Sequence, residues 1–181
     1  NNQAIRILEI GSWIGASTLT LARSIEELCG GLGSVTCVDT WQPYLDKEIN
    51  HRPSHQIMDL ASKLDLSYSL FLHNCKCCGI DKILEIRRGD SQIVLPSLFN
   101  QFEYDLIYID GDHSYEAVKS DIMWSRELLK SNGILCGDDF KIAISEIALE
   151  ILMSEMGQKV HPAEAIVVGG VYHPGVTVAA G

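Results

Sequence analysis

The sequence predicts a doubly wound α/β domain with a mostly parallel sheet, and three observations carry that prediction. Short apolar runs alternate with amphipathic segments of helical length from the first residues onward. The apolar runs end in carboxylates, at Asp39, at Asp110 and at the pair Asp138, Asp139; in an open α/β sheet the carboxyl ends of the strands form the edge where ligands bind. A chain of 181 residues, 46% of them apolar, is enough for one substantial core, so 1–181 reads as a single domain.

Each element has its own signal. Residues 5–10 form a short apolar strand, and 17–28 place Leu21, Ala22, Ile25 and Leu28 at helical spacing before Cys29-Gly30-Gly31 stops the helix. Residues 35–38 make the next strand, while 40–55, polar, aromatic and holding Pro43 and Pro53, read as a loop over the sheet edge. Helical character returns over 54–64 and 68–75, then 83–87 supply a third strand, and Gly89-Asp90-Ser91 opens a short helix reaching Phe99. Residues 104–109 are a buried strand. A helix from Ser114 turns Tyr115, Val118, Ile122, Leu128 and Leu129 toward the sheet, Asn132-Gly133 closes it, and 133–137 are the strand that follows. Residues 141–156 form a helix apolar around much of its circumference, suited to burial or to an interface between copies. Beyond Gly157, residues 165–168 have strand character that Gly169-Gly170 and His173-Pro174-Gly175 interrupt.

A formal charge of −10 and a pI near 4.9 argue against nucleic acid or an anionic membrane as partner, since both reward clustered Lys and Arg. No apolar run of membrane-spanning length and no basic-then-apolar leader is present, so a cytoplasmic protein acting on a small molecule is expected. The six cysteines read as reduced thiols. Cys75, Cys77 and Cys78 crowd together after His73, but their spacing matches none of the common zinc patterns, and a helix end with small side chains explains them.

The chemistry begins where the first strand runs into Glu9, Gly11, Ser12, Gly15 and Ser17. Glycines at a strand-to-helix turn let backbone pass close to a ligand, and the helix start offers free N–H groups. The dinucleotide fingerprint needs a second glycine at position 13, where this chain has Trp13. Glu9, an acid just before the turn, would repel a pyrophosphate and suit a cationic amino-acid group, which favours S-adenosylmethionine. Asp39 closes the second strand where a ribose would need a hydrogen-bond acceptor. At the other strand ends, converging carboxylates repel one another unless a cation or a proton intervenes, and hard oxygen donors suit Mg²⁺, with Mn²⁺ or Ca²⁺ as alternatives. Helix capping by Asp112, Ser114, Asp138 or Asp139 explains one or two of these residues but not the whole set.

Taken in order, EIGSWIGAS, VDTW, GDSQ, IDGDHSYE and GDDF resemble the class I S-adenosylmethionine-dependent methyltransferases, and within them the cation-dependent O-methyltransferases of the catechol and macrolide- or aminocoumarin-sugar type. The resemblance covers residues 5–140 and implies a Rossmann-like methyltransferase fold. It implies that Glu9, Gly11, Ser12, Gly15 and Ser17 line the methionine end of the cofactor, that Asp39 holds the ribose, and that Asp90, Ser91 and Gln92 surround the adenine. Asp110, Asp138 and Asp139 become the metal ligands, the step from 110 to 138 matching the family's own.

On that basis the cation would bind an acceptor hydroxyl, lower its pKa and hold it in line with the cofactor's methyl group. Asp112 is the first choice of base and His113 its competitor. Catechol-type relatives use a lysine here; Lys119 lies a turn into the helix, which points to a sugar or polyol acceptor. The family pattern also has a helix ahead of the first strand and a closing antiparallel strand pair, which these ends do not spell out; residues 173–181 read as the start of a helix, as in a piece of a longer chain. The competing expectation is a non-catalytic cofactor-binding or assembly domain that forms homo-oligomers. A nicotinamide-dependent oxidoreductase is disfavoured by Glu9 and Trp13.

Overall fold

The central strand is β1 (Ile5–Ile10), whose last four residues are buried because other strands lie on both sides of it. In this computed structural model, which describes residues 4–43, 53–139, 165–167, 170–172 and 174–180, β1 pairs in parallel with β2 (Gly33–Asp39) and with β4 (Tyr104–Ile109). The edges are β3 (Leu84–Arg88) beside β2 and β5 (Leu129–Gly137) beside β4, giving a five-stranded parallel sheet in the order β3-β2-β1-β4-β5. The order reverses between β1 and β4, and at such a switch point the crossover helices leave on opposite faces and open a crevice.

Period-two alternation divides the core between those faces. On one, Ile7, Val35 and Cys37 pack with Ala22 and Ile25 of α1 (Ala16–Cys29) and Phe71 and Cys75 of α3 (Leu66–Cys77). On the other, Leu8, Ile10 and Ile107 pack with Leu95 and Leu98 of α4 (Ser91–Leu98) and Leu128 of α5 (Tyr115–Leu128). Each large apolar side chain buried in this way contributes about 1.5–3 kcal/mol. Helix α1 ends as expected, with Gly30 in the left-handed region. Helix α2 (Pro53–Lys63) uses Pro53 in its first turn, where the missing N–H costs nothing.

One boundary differs from the sequence reading. Asn132-Gly133 does not close α5; the helix stops at Leu128 and Leu129 is already extended, with φ −86° and ψ 135°. The reason lies across the strand pair, where Asp105 accepts from Arg6 N–H of β1 and from Lys130 Nζ, both at 2.8 Å. That anchor draws residue 130 onto β4 and forces a bulge, since the register steps from Tyr104↔Leu129 to Leu106↔Ile134. Gly133 serves the bulge: a Cβ there would lie 2.7 Å from Leu129 Cδ1.

The tail also carries an antiparallel pair, β6 (Ala165–Val167) with β7 (Gly170–Tyr172), where the sequence suggested one interrupted strand and no closing pair. The expected helix follows as α6 (Pro174–Ala180), which packs against α5. The helix expected over 141–156 and the loop segment 44–52 lie outside the described residues. Among the described residues no helix is long and apolar enough to cross a membrane.

Candidate active site

The crevice is built where β1 and β4 come apart. Gly11 follows β1 with a φ of 89°, and a Cβ on it would stand 1.9 Å from the Asp110 carbonyl oxygen, so the two backbones touch where only glycine fits. Trp13, which replaces the glycine of the dinucleotide pattern, nevertheless adopts a left-handed φ of 46°. For a bulky residue that conformation costs about 1–3 kcal/mol and persists because its surroundings hold it. Here the hold is explicit: Trp13 N–H donates to Asp39 Oδ2 at 2.8 Å, and Trp41 Nε1 donates to the Trp13 carbonyl at 2.6 Å. Trp41 is itself left-handed, with a φ of 48°, and is fixed by packing against Phe71 and Tyr68.

Asp39 organises this end of the site. Its Oδ2 accepts from the Ser12 and Trp13 N–H groups at 3.0 and 2.8 Å, and its Oδ1 from Trp41 N–H at 2.6 Å. A carboxylate has about four acceptor positions, so three are filled and one remains for a ligand hydroxyl. Next to it, Gly89 N–H donates to the Asp39 carbonyl at 2.8 Å, carrying the chain into the Asp90 turn. The Asp90 side chain caps α4 by accepting from Gln92 N–H at 2.9 Å.

These parts enclose a cavity of about 330 Å³ walled by Gly11, Asp39, Asp90, Ser91, Gln92 and Asp110. Glu9, Ser12 and Gly15, expected beside them, are buried next to this wall, and Ser17 is half-buried. Glu9 is 0% exposed, with Oε2 accepting from the hydroxyls of Ser12 and Thr18. Burial raises its pKa, opposed by those hydroxyls and by Ser17 and Cys37. Gly15 caps α1 with a φ of 94° and lies against the Phe71 ring. From this stretch Ile10, Gly11 and Trp13 line the cavity.

The turn from Asp110 to Asp112 is a partition. Its far side faces a second, more apolar cavity of about 460 Å³ lined by His113, Val118, Ile122, Leu135, Asp138 and Val176. Above it, Asp110, His113 and Asp139 each bring one donor atom within 4.8 Å of the others. His113 Nε2 lies 2.8 Å from Asp139 Oδ2 and 3.8 Å from Asp110 Oδ1. Burial alone would lower the imidazole pKa, but the two carboxylates outweigh it and raise the value to about 9. Asp138 sits one residue away with Oδ1 accepting the Asp139 N–H at 2.7 Å, and it is not part of that group of three. Asp139 holds a left-handed φ of 64° that aims it back at His113. Asp112 Oδ1 accepts the N–H of Ser114, the residue at the start of α5, at 2.7 Å, and the Ser114 hydroxyl makes no capping hydrogen bond. Lys119 lies over the Tyr115 ring.

Two features escaped the sequence reading. His113 joins the carboxylates in space, which its i,i+3 distance from Asp110 hinted at, and Asp121 is buried on the inner face of α5. All six cysteines are free thiols; Cys75 is buried, and Cys77 Sγ lies 3.4 Å from His73 Nε2.

A parallel sheet reversing at a glycine turn, with an acid closing the second strand and a cavity at the switch point, defines a Rossmann-like α/β domain. The sequence model of the family described as "Methyltransferase domain" matches residues 8–140, and the chain belongs to that family. Among solved structures, a Klebsiella pneumoniae protein assigned as an O-methyltransferase shares 23% identity at a TM-score of 0.54, covering 77% of this chain and 50% of that one. TomG, an O-methyltransferase from Streptomyces achromogenes, shares 17% at a TM-score of 0.53, covering 99% and 59%. The calicheamicin methyltransferase CalS11 shares 21% at a TM-score of 0.51, covering 75% and 58%. The chain thus spans between half and three-fifths of the length of these structures. A search of curated proteins gives no match.

Proposed function

We propose that the protein transfers the methyl group of S-adenosylmethionine to a hydroxyl of a small molecule, assisted by a divalent cation. The observation that carries this reading is the Asp110–Asp112 turn, which is a shared wall between the cavity beside Asp39 and the apolar cavity beside His113. A methyl donor in the first cavity and an acceptor in the second would meet past the edge of that turn, where Asp110 and Asp112 line both cavities, and close approach in line is most of what such a displacement requires.

The residues suit the cofactor. Asp39 retains one acceptor position for a ribose hydroxyl, Gly11 keeps the crest of the turn bare, and Ser91 and Gln92 offer polar groups beside an adenine. TomG, similar in fold, is described in complex with S-adenosylmethionine. The donor set suits a cation as well: Asp110 and Asp139 supply hard oxygens, with Asp138 the third carboxylate and His113 the imidazole beside them. Mg²⁺ favours oxygen, and an imidazole shifts the preference toward Mn²⁺. A bound cation would polarise the acceptor hydroxyl, and Asp112, with His113 as its competitor, is the group to take the proton. A sugar or polyol acceptor is favoured because Lys119 is engaged with Tyr115, away from the turn.

The His113–Asp139 ion pair favours a second reading, in which the turn works without a cation and His113 balances the carboxylates. Calorimetry with S-adenosylhomocysteine, followed by turnover with and without EDTA, tests both. Absence of cofactor binding would remove the methyltransferase reading; EDTA-insensitive turnover would select the second; binding without turnover on any hydroxyl acceptor would leave a non-catalytic domain.

A further inference from the structure

Helix α5 turns Ala117, Val118, Asp121, Ser125 and Leu128 inward. An acid in that row is out of place unless it has a task. Asp121 is 1% exposed, and neither carboxyl oxygen has a hydrogen-bond partner of good geometry. Its Oδ2 lies 3.7 Å from the point where a Cβ on Gly111 would stand, directly under the Asp110–Asp112 turn. The Ser91 side chain is close enough to favour its charged form, so the group also reaches toward the Asp90–Gln92 turn. Both turns line the cofactor cavity, and Ala117, one helical turn before Asp121, lines it directly.

Resting on the methyltransferase reading, we propose that Asp121 is a positioning residue of the cofactor cavity, a buried carboxyl that braces the Ser91 wall and the Gly111 wall from beneath. A protonated carboxyl has one donor and spare acceptor capacity, which a seryl hydroxyl and a backbone group can satisfy together. An ionised one in the same place is costly, since a buried carboxylate needs a paired cation. The charged groups facing it are Asp112 of the β4–α5 turn and Asp90 of the α4 cap, both negative. Burial first, then those two charges, push its pKa up to about 7 against the lowering effect of Ser91. Leucine would pack as well if filling space were the only task.

The test compares wild type, Asp121→Asn and Asp121→Ala by calorimetry with S-adenosylhomocysteine between pH 6 and pH 9, and by thermal melts without ligand. Asparagine, a neutral isostere, is expected to keep the pH 6 affinity within about threefold, while alanine loses about tenfold, the scale of one buried hydrogen-bonding group. Wild-type affinity should fall relative to Asp121→Asn as pH rises through about 7, the asparagine profile staying flat. In the melts, Asp121→Asn should gain on wild type as pH rises from about 4 to 7, because only the folded wild type retains its proton there. Superimposed pH profiles, or asparagine binding as weakly as alanine, would overturn the positioning role alone. Failure of wild type to bind at any pH would overturn the cofactor reading and the role together. Where Asp121→Ala does not fold, the asparagine comparison and its pH profile decide.

Discussion

Gly11 and Asp110 meet backbone to backbone: a Cβ on the glycine would stand 1.9 Å from the aspartate's carbonyl oxygen and 2.4 Å from its carbonyl carbon. The crossing closes the switch point of the sheet, with Asp110 N–H donating to the Ile10 carbonyl at 2.8 Å and Gly11 N–H to the Val38 carbonyl at 2.9 Å. Gly11→Ala must therefore either separate β1 from β4 or tilt the Asp110–Asp112 turn, besides forcing alanine to a φ of 89°. A destabilisation of about 3 kcal/mol or more is expected, in the range of backbone strain compounded with overpacking. Urea unfolding measures it, and a midpoint unchanged from wild type would refute the crossing.

The carboxylates above the turn are expected to separate by role. Asp110→Asn and Asp139→Asn should each weaken Mn²⁺ binding about 10–100-fold, the usual scale for disturbing a metal's immediate surroundings. Affinity for S-adenosylhomocysteine should change little in Asp139→Asn, because Asp139 stands outside the cofactor cavity that Asp110 helps to wall. Asp138→Asn is expected to join them while His113→Gln retains Mg²⁺ stimulation. The opposite order would make His113, already 2.8 Å from Asp139, the third donor. Titration of Mn²⁺ by electron paramagnetic resonance reads this without a known acceptor.

Asp39→Asn tests the other wall. Three backbone N–H groups, of Ser12, Trp13 and Trp41, point at this carboxylate, and an amide offers one oxygen to them and an NH₂ that opposes them. At least one donor is then left facing a donor, a loss of about 1–3 kcal/mol. Both left-handed tryptophans lose their anchor, so affinity for S-adenosylhomocysteine should fall at least tenfold together with the melting temperature. A fall in affinity with an unchanged melt would mean that Asp39 touches the ligand without bracing the loop.

The sheet was legible because period and punctuation agree: 5–10 and 104–109 are strands in both readings, and the acids closing β2, β4 and β5 lie at one edge. What residue type cannot convey is which way a side chain turns. Glu9 and Asp39 look alike in the sequence, yet one is sealed behind the glycine turn and the other faces the cavity. Residue type gives no reason to place Asp121 inside, yet it is buried on the face of α5 that holds Val118 and Leu128. Leu129 belongs to the helical pattern by spacing but to β5 by the pull of Lys130 on Asp105, a contact between residues 25 positions apart. His113 joins Asp139 only because β5 lies beside β4.

Glu9 gives the sharpest pH prediction. Its folded pKa is raised above the ordinary glutamate value, with burial the largest cause, so the folded protein holds this proton more tightly than the unfolded chain does. The stability gained in this way is complete below the unfolded pKa of about 4.3 and is lost as pH rises through the folded value. Glu9→Gln carries no such proton, while its amide oxygen still accepts the Ser12 and Thr18 hydroxyls. The glutamine variant should therefore gain stability relative to wild type as pH rises from about 4.3 to 8. Glu9→Ala should lose about 2–3 kcal/mol near pH 4, having stranded two buried hydroxyls, and that deficit should narrow as pH rises because alanine carries no such proton either. Urea midpoints across that range measure both. If Glu9→Gln is instead the less stable at pH 8, the carboxylate is ionised in the folded state and its charge serves the turn. Cofactor affinity then distinguishes a brace from a contact, because a carboxylate that meets the amino group of S-adenosylhomocysteine would lose at least tenfold in Glu9→Gln, and one that only supports Ser12 would not.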